Sequence, residues 1–304
     1  MSLTIVTGFY DLEKRDKTGR RKGDDYIKHG EFVCKQEFPM IIFCDPEYEE
    51  KILEYRKDVK HYTKTIPLPL EEFEHYIMYY DMIKKNINSN AFYRCNPVKN
   101  TVNYFLLTNG KFYMLKKVIE DESIPKTERI CWLDFGLTHV VITKDHNLAF
   151  DYVKDKMKIM LLRNLHKDSL PEKEYTTMWT YCNAMYITGS VENMRIFVDG
   201  VCSVFVKLLN KGYVLLEEQV MSIYVAKDTS QYDFYYGDYK DCLQNYHKIQ
   251  IYDHVVKVLN WAVWANDREN IKRICEYILD EDKNVVIDAE TLEYVKNCYG
   301  IVSK

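Results

Sequence analysis

An apolar run that ends on a carboxylate stands at residues 129–134, RICWLD. Asp134 closes the run, and Gly136 follows two positions later, where glycine favours a turn. A buried strand of this kind puts a charge at the rim of a sheet, and open α/β sheets bind their ligands at that rim. The pattern makes Asp134 a candidate ligand-binding carboxylate, and capping of a turn is its structural alternative.

The tripeptide Asp134-Phe135-Gly136 is also the metal-binding motif of protein kinases. Kinases need two further motifs upstream of it, a glycine-rich phosphate loop and a His-Arg-Asp catalytic loop. The sequence has neither of them. Without that context a match of three residues carries little weight, and the missing phosphate-loop signatures count against a nucleotidyltransferase as well.

The composition is that of a globular protein without a strong electric field. The 304 residues are 47% hydrophobic and carry a formal net charge of -4, so the chain is long enough for a full core. Lysine and arginine are spread through the sequence, and we therefore expect no nucleic-acid partner. The nine cysteines form no CxxC pair, which is typical of reduced thiols.

The sequence predicts a cytoplasmic protein with no transmembrane segment. The N-terminal residues lack a basic region followed by a long apolar stretch, and the apolar runs at 40–44 and 261–265 are too short to cross a bilayer. The abundance of Tyr, Ile, Lys and Asn is typical of AT-rich genomes, such as those of intracellular bacteria and large DNA viruses. A viral protein of this kind would lie in the host cytoplasm or in the virion.

The elements that must position Asp134 alternate along the first half of the chain. Strands are predicted at 3–10, 39–45 and 129–134, and helices at 26–36, 46–57 and 71–86, where apolar residues recur at helical spacing. Further strands are predicted at 138–144, 156–164 and 184–190, followed by a long amphipathic helix at 191–212. The fold class is therefore predicted as α/β, a Rossmann-type mixed sheet flanked by helices, with a helical C-terminal region.

No internal repeat, low-complexity segment or linker divides the sequence. We predict one domain at 1–250 that holds the site, and a helical extension at 251–304 that packs on it.

Six ordered blocks of the sequence resemble the HtrL/YibB family. They are TIVTGFYDLEKRD (4–16), PMIIFCDPE (39–47), the stretch from VNYFLLTNGKFYML to WLDFGLTHV (102–140), YITGSVENM (186–194), KGYVLLEEQVMSIYVAK (211–227) and YYGDYKDCLQNYH (235–247). That family is in turn similar to glycosyltransferases of the GT-A type. The resemblance therefore implies a GT-A-like sheet that binds a nucleotide sugar, over most of residues 3–250.

The resemblance implies a donor site around Asp134. Asp134 would anchor the donor, act in catalysis and hold a divalent cation, Mn²⁺ or Mg²⁺. The usual Asp-x-Asp arrangement has a second carboxylate at the position of Gly136, where glycine would instead let the backbone approach the ligand. His247 would be a further metal ligand, with an ordinary surface or core position as its alternative. The other nucleotide-binding positions would be Thr7, Gly8 and Tyr10.

Two basic residues are predicted to bind the diphosphate. Lys111 is expected at the beginning of the helix KFYMLKKVI, beside free backbone N–H groups, and a solvated lysine is the alternative. Arg15 belongs to the segment 13–25, which carries six basic residues and could close over the diphosphate. Charge runs of this kind are usually solvated faces.

The acceptor side is predicted around the sequence LLEEQ. Adjacent helical residues point about 100° apart, so only one of Glu217 and Glu218 would face a pocket. The resemblance implies Glu218 as the catalytic base, because the family has an acidic residue directly before Gln219, and Glu217 would be a substrate contact. Glutamates at helix starts are also common for dipole reasons alone. The wall on the acceptor side would be formed by Thr188, Gly189 and Ser190.

The predicted function is transfer of a sugar from a nucleotide-diphosphate donor, UDP-linked, to a glycan or other surface-polymer acceptor. The alternative is a GT-A-like binding or scaffold protein that has kept the pocket and lost catalysis, which Gly136 favours. The C-terminal helices are candidates for a homodimer face.

Overall fold

The computed structural model describes residues 3–18, 22–88, 99–141, 147–151, 153–162, 165, 175, 180–246, 252–280 and 289–303. Its strands are β1 (Leu3–Phe9), β2 (Met40–Cys44), β3 (Thr63–Pro67), β4 (Arg129–Leu133), β5 (Met157–Leu161), β6 (Cys182–Ser190) and β7 (Tyr232–Tyr236). Its α-helices are α1 (Leu12–Asp16), α2 (Gly23–Tyr26), α3 (Glu31–Cys34), α4 (Glu49–Arg56), α5 (Glu74–Asn88), α6 (Val102–Glu120), α7 (Asn147–Asp151), α8 (Val191–Asn210), α9 (Glu217–Val225), α10 (Tyr252–Trp264), α11 (Arg268–Leu279) and α12 (Ala289–Val302).

The described strands form one sheet in the order β3-β2-β1-β4-β6-β5-β7. β1 is parallel to β2 and β4, β2 is parallel to β3, and β5 is parallel to β7, whereas β6 is antiparallel to both β4 and β5. All strands except β6 therefore end at the same edge. The chain adds β2 and β3 on one side of β1 and the later strands on the other, so the order reverses between β1 and β4. Such a switch point leaves a crevice at the carboxyl ends of the strands.

Alternate side chains of the strands supply a core on each face of the sheet. On one face, Val6, Ile41 and Trp132 pack with apolar side chains from α5, α6, α8 and α9. On the other face, Ile5 and Ile42 pack with side chains from α3, α4 and α7. Helices therefore cover both faces, and the predicted α/β class with a mixed sheet is confirmed.

Most of the predicted elements are present. The strands predicted at 3–10, 39–45, 129–134, 156–164 and 184–190 are β1, β2, β4, β5 and β6, and the helix predicted at 191–212 is α8. The strand predicted at 138–144 is wrong where the chain is described, because Leu137–His139 is a 3-10 helix. Residues 142–144 lie outside the described residues. β3 and β7 were not predicted, since TKTIP and YDFYY lack a run of apolar residues.

Helices α10, α11 and α12 pack on one another at the C-terminal end of the chain. Their core is formed by buried apolar side chains, Leu259, Ile274 and Val295 among them. The predicted helical C-terminal region is thus confirmed, while the boundary at residue 250 stays a prediction. None of the helices in the described ranges combines the length and the apolarity that a membrane span needs.

Candidate functional site

A cavity of about 530 Å³ opens at the carboxyl edge of the sheet. Its walls come from the segments that follow β1 and β4, from α6, from the start of α9 and from the turn after β7. The residues that line it include 8–12, Tyr26, Tyr104, Lys111, Met114, Trp132, 134–136, His139, Thr180, Met185, 216–218 and Tyr239. The crevice expected at the switch point between β1 and β4 is therefore part of this cavity.

Asp134 lies at the end of β4, in the wall of the cavity. Its backbone N–H donates to Met185 O over 2.9 Å, which ties the strand end to β6. Its side-chain Oδ1 accepts hydrogen bonds from Trp132 Nε1 at 2.5 Å and from Lys111 Nζ at 3.0 Å. The carboxylate is thus held by two donors while about a third of the side chain, 31%, stays exposed.

Lys111 is not at a helix start, which corrects the prediction. It lies in the middle of α6, with its side chain only 4% exposed. Its ammonium donates to Asp134 Oδ1, to Ala184 O at 3.0 Å and to Glu217 Oε1 at 3.2 Å, so all three of its protons are used. Burial lowers the pKa of Lys111, but the charges of Asp134 and Glu217 outweigh burial and raise it above its usual range. Lys111 therefore bridges two carboxylates, and its ammonium has no proton left to donate to a phosphate.

Glu217 and Glu218 begin α9, and both line the cavity. Glu217 is the partner of Lys111. Glu218 Oε2 accepts a hydrogen bond of 2.7 Å from the hydroxyl of Tyr239. Burial, and then the charge of Glu217, raise the pKa of Glu218 to about 8, although Tyr239 and Lys111 act in the opposite direction. The cavity thus contains a carboxyl group that can exchange a proton near neutral pH, which is a feature of acid–base sites.

Gly136 makes room for a side chain of the protein itself. A Cβ at position 136 would lie 2.1 Å from the hydroxyl oxygen of Tyr26. The carbonyl of Gly136 also contacts Nδ1 of His139. A second carboxylate could not occupy this position without displacing Tyr26, so the absence of an Asp-x-Asp pair has a steric cause.

Arg15 does not reach into the cavity with a free guanidinium, contrary to the prediction. It forms two hydrogen bonds with Asp45, of 2.8 and 2.6 Å, and two with Glu71, of 2.7 and 2.8 Å. A further hydrogen bond of 3.0 Å goes to Asp11 O, so its five donors are all used. Arg15 therefore connects the segments that follow β1, β2 and β3, and the structure gives it a supporting position beside the cavity.

The predicted acceptor wall lies at the opposite edge of the sheet from the cavity. Its residues are Thr188, Gly189 and Ser190, at the end of β6. β6 is antiparallel to β4, and Ser190 stands opposite Arg129, the first residue of β4. The end of β6 is therefore remote from Asp134, which follows the last residue of β4. Thr188 is buried against the hydroxyl of Tyr246, and Ser190 caps α8 by accepting from Asn193 N.

Of the three residues predicted to bind the nucleotide at the end of β1, two line the cavity and one does not. Gly8 and Tyr10 line the cavity, whereas Thr7 is fully buried in the strand. Within the described part of the chain, the hydroxyl groups of Thr7 and Tyr10 have no hydrogen-bond partner. His247 lies outside the described residues, so its predicted role as a metal ligand stays a prediction.

Asp134 is the residue in the cavity that could hold a divalent cation. Across the described ranges, no group of three His, Cys, Asp or Glu side chains could hold a metal ion. The hydrogen bonds that reach Asp134 there go to Oδ1, which leaves Oδ2 for a cation. The residues therefore fit a cation held by one carboxylate, with phosphate and water oxygens completing its coordination.

The sequence matches a known family over most of its length. The family model described as "Bacterial protein of unknown function (HtrL_YibB)" matches residues 1–248. The chain belongs to the HtrL/YibB family. A comparison with curated proteins gives no match.

Among solved structures, this HtrL/YibB protein is similar to mouse xyloside xylosyltransferase 1 in its apo form. The two are 9% identical, the match covers 76% of this chain and 84% of the mouse chain, and the TM-score is 0.38. A TM-score of this size supports no conclusion about function.

Trp132 and Tyr239 are among the site residues of the HtrL/YibB chain that the sequence interpretation missed. Trp132 precedes Asp134 by two positions, and residues two apart in a strand face the same side, so its place beside Asp134 could have been inferred. Tyr239 stands in a 3-10 helix capped by Asp238, and its sequence signals are the Gly-Asp turn after YDFYY and its place in the family block at 235–247. Its contact with Glu218 joins segments 21 positions apart and depends on the tertiary fold.

Proposed function

We propose that this HtrL/YibB protein is a glycosyltransferase that moves a sugar from a nucleotide-diphosphate donor to a hydroxyl group of a glycan acceptor. One observation carries the proposal. A single cavity at the switch point of the sheet is lined both by Asp134, at the end of a parallel strand, and by Glu218, a buried carboxyl group whose pKa is raised to about 8.

The donor would occupy the crevice between the ends of β1 and β4. Gly8 and Tyr10 line it on the side of β1, and Trp132 and Asp134 on the side of β4. The aromatic rings offer flat apolar surfaces on which a nucleobase or a sugar ring can stack. A divalent cation bound by Asp134 would supply positive charge to the departing diphosphate.

Charge in the cavity supports a role for such a cation. Asp134 and Glu217 share the single ammonium of Lys111, so this cluster has a net negative charge. A diphosphate entering beside it would be repelled unless it arrived with a counter-ion. We therefore expect donor binding to depend on Mn²⁺ or Mg²⁺.

Glu218 would act as the base of the transfer. The acceptor oxygen forms a bond to the anomeric carbon of the sugar, the bond from that carbon to the diphosphate oxygen breaks, and its electron pair leaves with the nucleoside diphosphate. The proton of the acceptor hydroxyl passes to Glu218. A carboxyl group that ionises near neutral pH is a feature of acid–base sites, and it supports the enzyme over the binding or scaffold protein.

The experiment is a thermal-shift titration of the full chain with UDP, GDP, CDP and ADP, each with and without Mn²⁺, followed by a donor-hydrolysis assay with the matching nucleotide sugars. A ligand that binds only the folded state raises the melting temperature, so one diphosphate should do so in the presence of metal. Asp134→Asn should lose that stabilisation, and Glu218→Gln should keep it while losing hydrolysis.

The results separate the two candidate functions. Metal-dependent binding with hydrolysis supports the glycosyltransferase. Binding without turnover under all metal conditions supports the scaffold protein. If none of the nucleotides at millimolar concentration shifts the melting temperature, the nucleotide-sugar proposal fails.

A further inference from the structure

A chain of hydroxyl groups leads from the cavity wall to Glu218. The hydroxyl of Tyr239 donates to Glu218 Oε2 over 2.7 Å and lies 3.2 Å from Thr180 Oγ1. A tyrosine hydroxyl has one proton, and Tyr239 uses it for Glu218 when that carboxyl group is ionised, so Thr180 must then be the donor to Tyr239. All three side chains line the cavity.

The backbone beneath Tyr239 is fixed by two aspartates. Asp238 Oδ1 accepts from Tyr239 N at 2.8 Å, and Asp241 Oδ2 accepts from Asp238 N at 3.0 Å. The Asp238 side chain also accepts from the backbone N–H of Asp241, and this bond and its reciprocal from Asp238 N to Asp241 form a capping box on the 3-10 helix that begins at Tyr239. The helix begins three positions after the end of β7, at the carboxyl edge of the sheet, so the phenol ring faces Glu218 from a turn held by these hydrogen bonds.

We propose that Tyr239 is the positioning residue for Glu218, and that Thr180 in turn holds Tyr239. The inference rests on the proposed function, because it assigns the residue that prepares the base of the transfer. Since Tyr239 occupies Oε2, the second oxygen, Oε1, is left to take the proton of the acceptor hydroxyl. A donor that faces a carboxylate also stabilises its ionised form, which is the form a base needs.

The groups around Glu218 shift its pKa in both directions. Glu217, beside it on α9, and Asp134, at the end of β4, disfavour its ionised form, as does burial. Lys111 on α6 and Tyr239 on the 3-10 helix favour the ionised form. Lys111 is already shared between two other carboxylates, so Tyr239 is the neighbour that makes a direct hydrogen bond to Glu218.

Tyr239→Phe tests this role, since it removes the hydroxyl and keeps the ring. Loss of one hydrogen bond to the carboxylate should raise the pKa of Glu218 by about one pH unit. At pH 7 the ionised fraction of Glu218, and with it kcat for donor hydrolysis or transfer, should fall about tenfold, while KM for the donor changes little. The pH at which kcat rises should increase by the same amount, about one unit.

Tyr294→Phe is the matched control, since it removes a hydroxyl bonded to Asn260 in the C-terminal helices. It should change neither the pKa of Glu218 nor kcat.

A second readout is independent of turnover. Carboxyl ¹³C NMR of glutamate-labelled protein, with Glu218→Gln to assign the signal, gives the pKa of Glu218 in each variant. An unchanged pKa and an unchanged pH profile in Tyr239→Phe overturn the inference and leave the glycosyltransferase proposal standing. If the wild type neither binds nor hydrolyses any donor, the proposed function fails, and the role of Tyr239 in transfer fails with it.

Thr180→Val keeps the inference testable if Tyr239→Phe does not fold. Loss of the threonine hydroxyl weakens the support of Tyr239, so the pKa of Glu218 should rise by less than in Tyr239→Phe but in the same direction. A pKa of Glu218 that stays the same or falls contradicts the proposal.

Discussion

Lys111 shows how much of this site depends on one charge. Its side chain is 4% exposed, and its ammonium lies between Asp134 and Glu217, 3.0 and 3.2 Å from their oxygens. A buried ion pair of this kind contributes little net stability compared with apolar residues, but the loss of one partner leaves the others buried and uncompensated. Lys111 is thus a structural requirement of the carboxylate cluster, whatever the cavity binds.

Lys111→Met should destabilise the folded chain strongly. Because the largely buried Glu217 and the partly buried Asp134 would lose their counter-ion, the free energy of unfolding should fall by about 3–5 kcal/mol, measured by urea denaturation. Adding Glu217→Gln should restore part of the loss, since one uncompensated charge is removed. Lys116→Met, on the same helix, breaks a half-exposed pair with Asp199 and should cost less than about 1 kcal/mol. Equal losses for the two lysines would contradict this account.

The sequence predicts the positions of some site residues better than the partners of others. Asp134 can be located because a buried strand must end where its apolar run ends, and Glu218 because the family pattern has an acidic residue directly before Gln219. Arg15 could not be understood in this way, since its partners Asp45 and Glu71 lie 30 and 56 positions away. Contacts at that separation are set by the order of strands in the sheet, which no local pattern contains.

At the scale of elements, α6 is the helix that connects the core to the cavity. It carries Lys111, and its neighbour Gly110 allows a close approach of His75 from α5. A Cβ at position 110 would lie 2.8 Å from His75 Nε2. The imidazole also stacks on Tyr113 of α6, with ring centroids 4.7 Å apart. A glycine inside a helix costs about 1 kcal/mol relative to alanine, and here that cost is offset by the packing it permits.

Two glycine-to-alanine changes should therefore have opposite effects. Gly110→Ala should destabilise the protein by about 1–3 kcal/mol, because the new methyl group overpacks a buried contact. Gly300→Ala, in α12, meets nothing within 4 Å and should stabilise its helix by about 0.5–1 kcal/mol. Chemical denaturation followed by circular dichroism measures both. The interpretation of α6 is wrong if Gly110→Ala is as stable as the wild type.

Strong amphipathic or apolar patterns were enough to predict the central elements, and weak ones were not. β2 is a continuous apolar run, and β1 and β4 are rich in buried apolar residues, as expected of strands buried on both faces. β3 lies at the edge of the sheet with half-buried residues, so its sequence carries no such signal. The family pattern predicts a helix that begins at Lys111, whereas α6 begins at Val102. A charged residue is rarely buried, and the two carboxylates that allow the burial of Lys111 belong to other elements.

At the scale of the whole molecule, two buried titratable groups make stability depend on pH in opposite ways. Burial lowers the pKa of His75 to about 4, despite a hydrogen bond with the backbone of Leu106, so the unfolded chain takes up a proton below about pH 6.5 that the folded chain does not. This group weakens the fold as pH falls. Glu218, with its pKa raised to about 8, keeps a proton that the unfolded chain has lost above about pH 4.5, so it weakens the fold as pH rises.

The two contributions should nearly cancel between about pH 4.5 and 6.5, where each has a slope of about 1.4 kcal/mol per pH unit of opposite sign. Glu218→Gln should remove the falling contribution, so the free energy of unfolding should rise more steeply with pH over that interval than in the wild type. His75→Gln should remove the rising contribution and leave a decline that continues to about pH 8.

The test is urea denaturation of each variant at half-unit steps from pH 4 to 8, with the exposed His61→Gln as the control that keeps the wild-type profile. Parallel profiles for all four proteins would show that neither buried group changes its protonation on folding, because only a difference in bound protons between the folded and unfolded states can produce a slope.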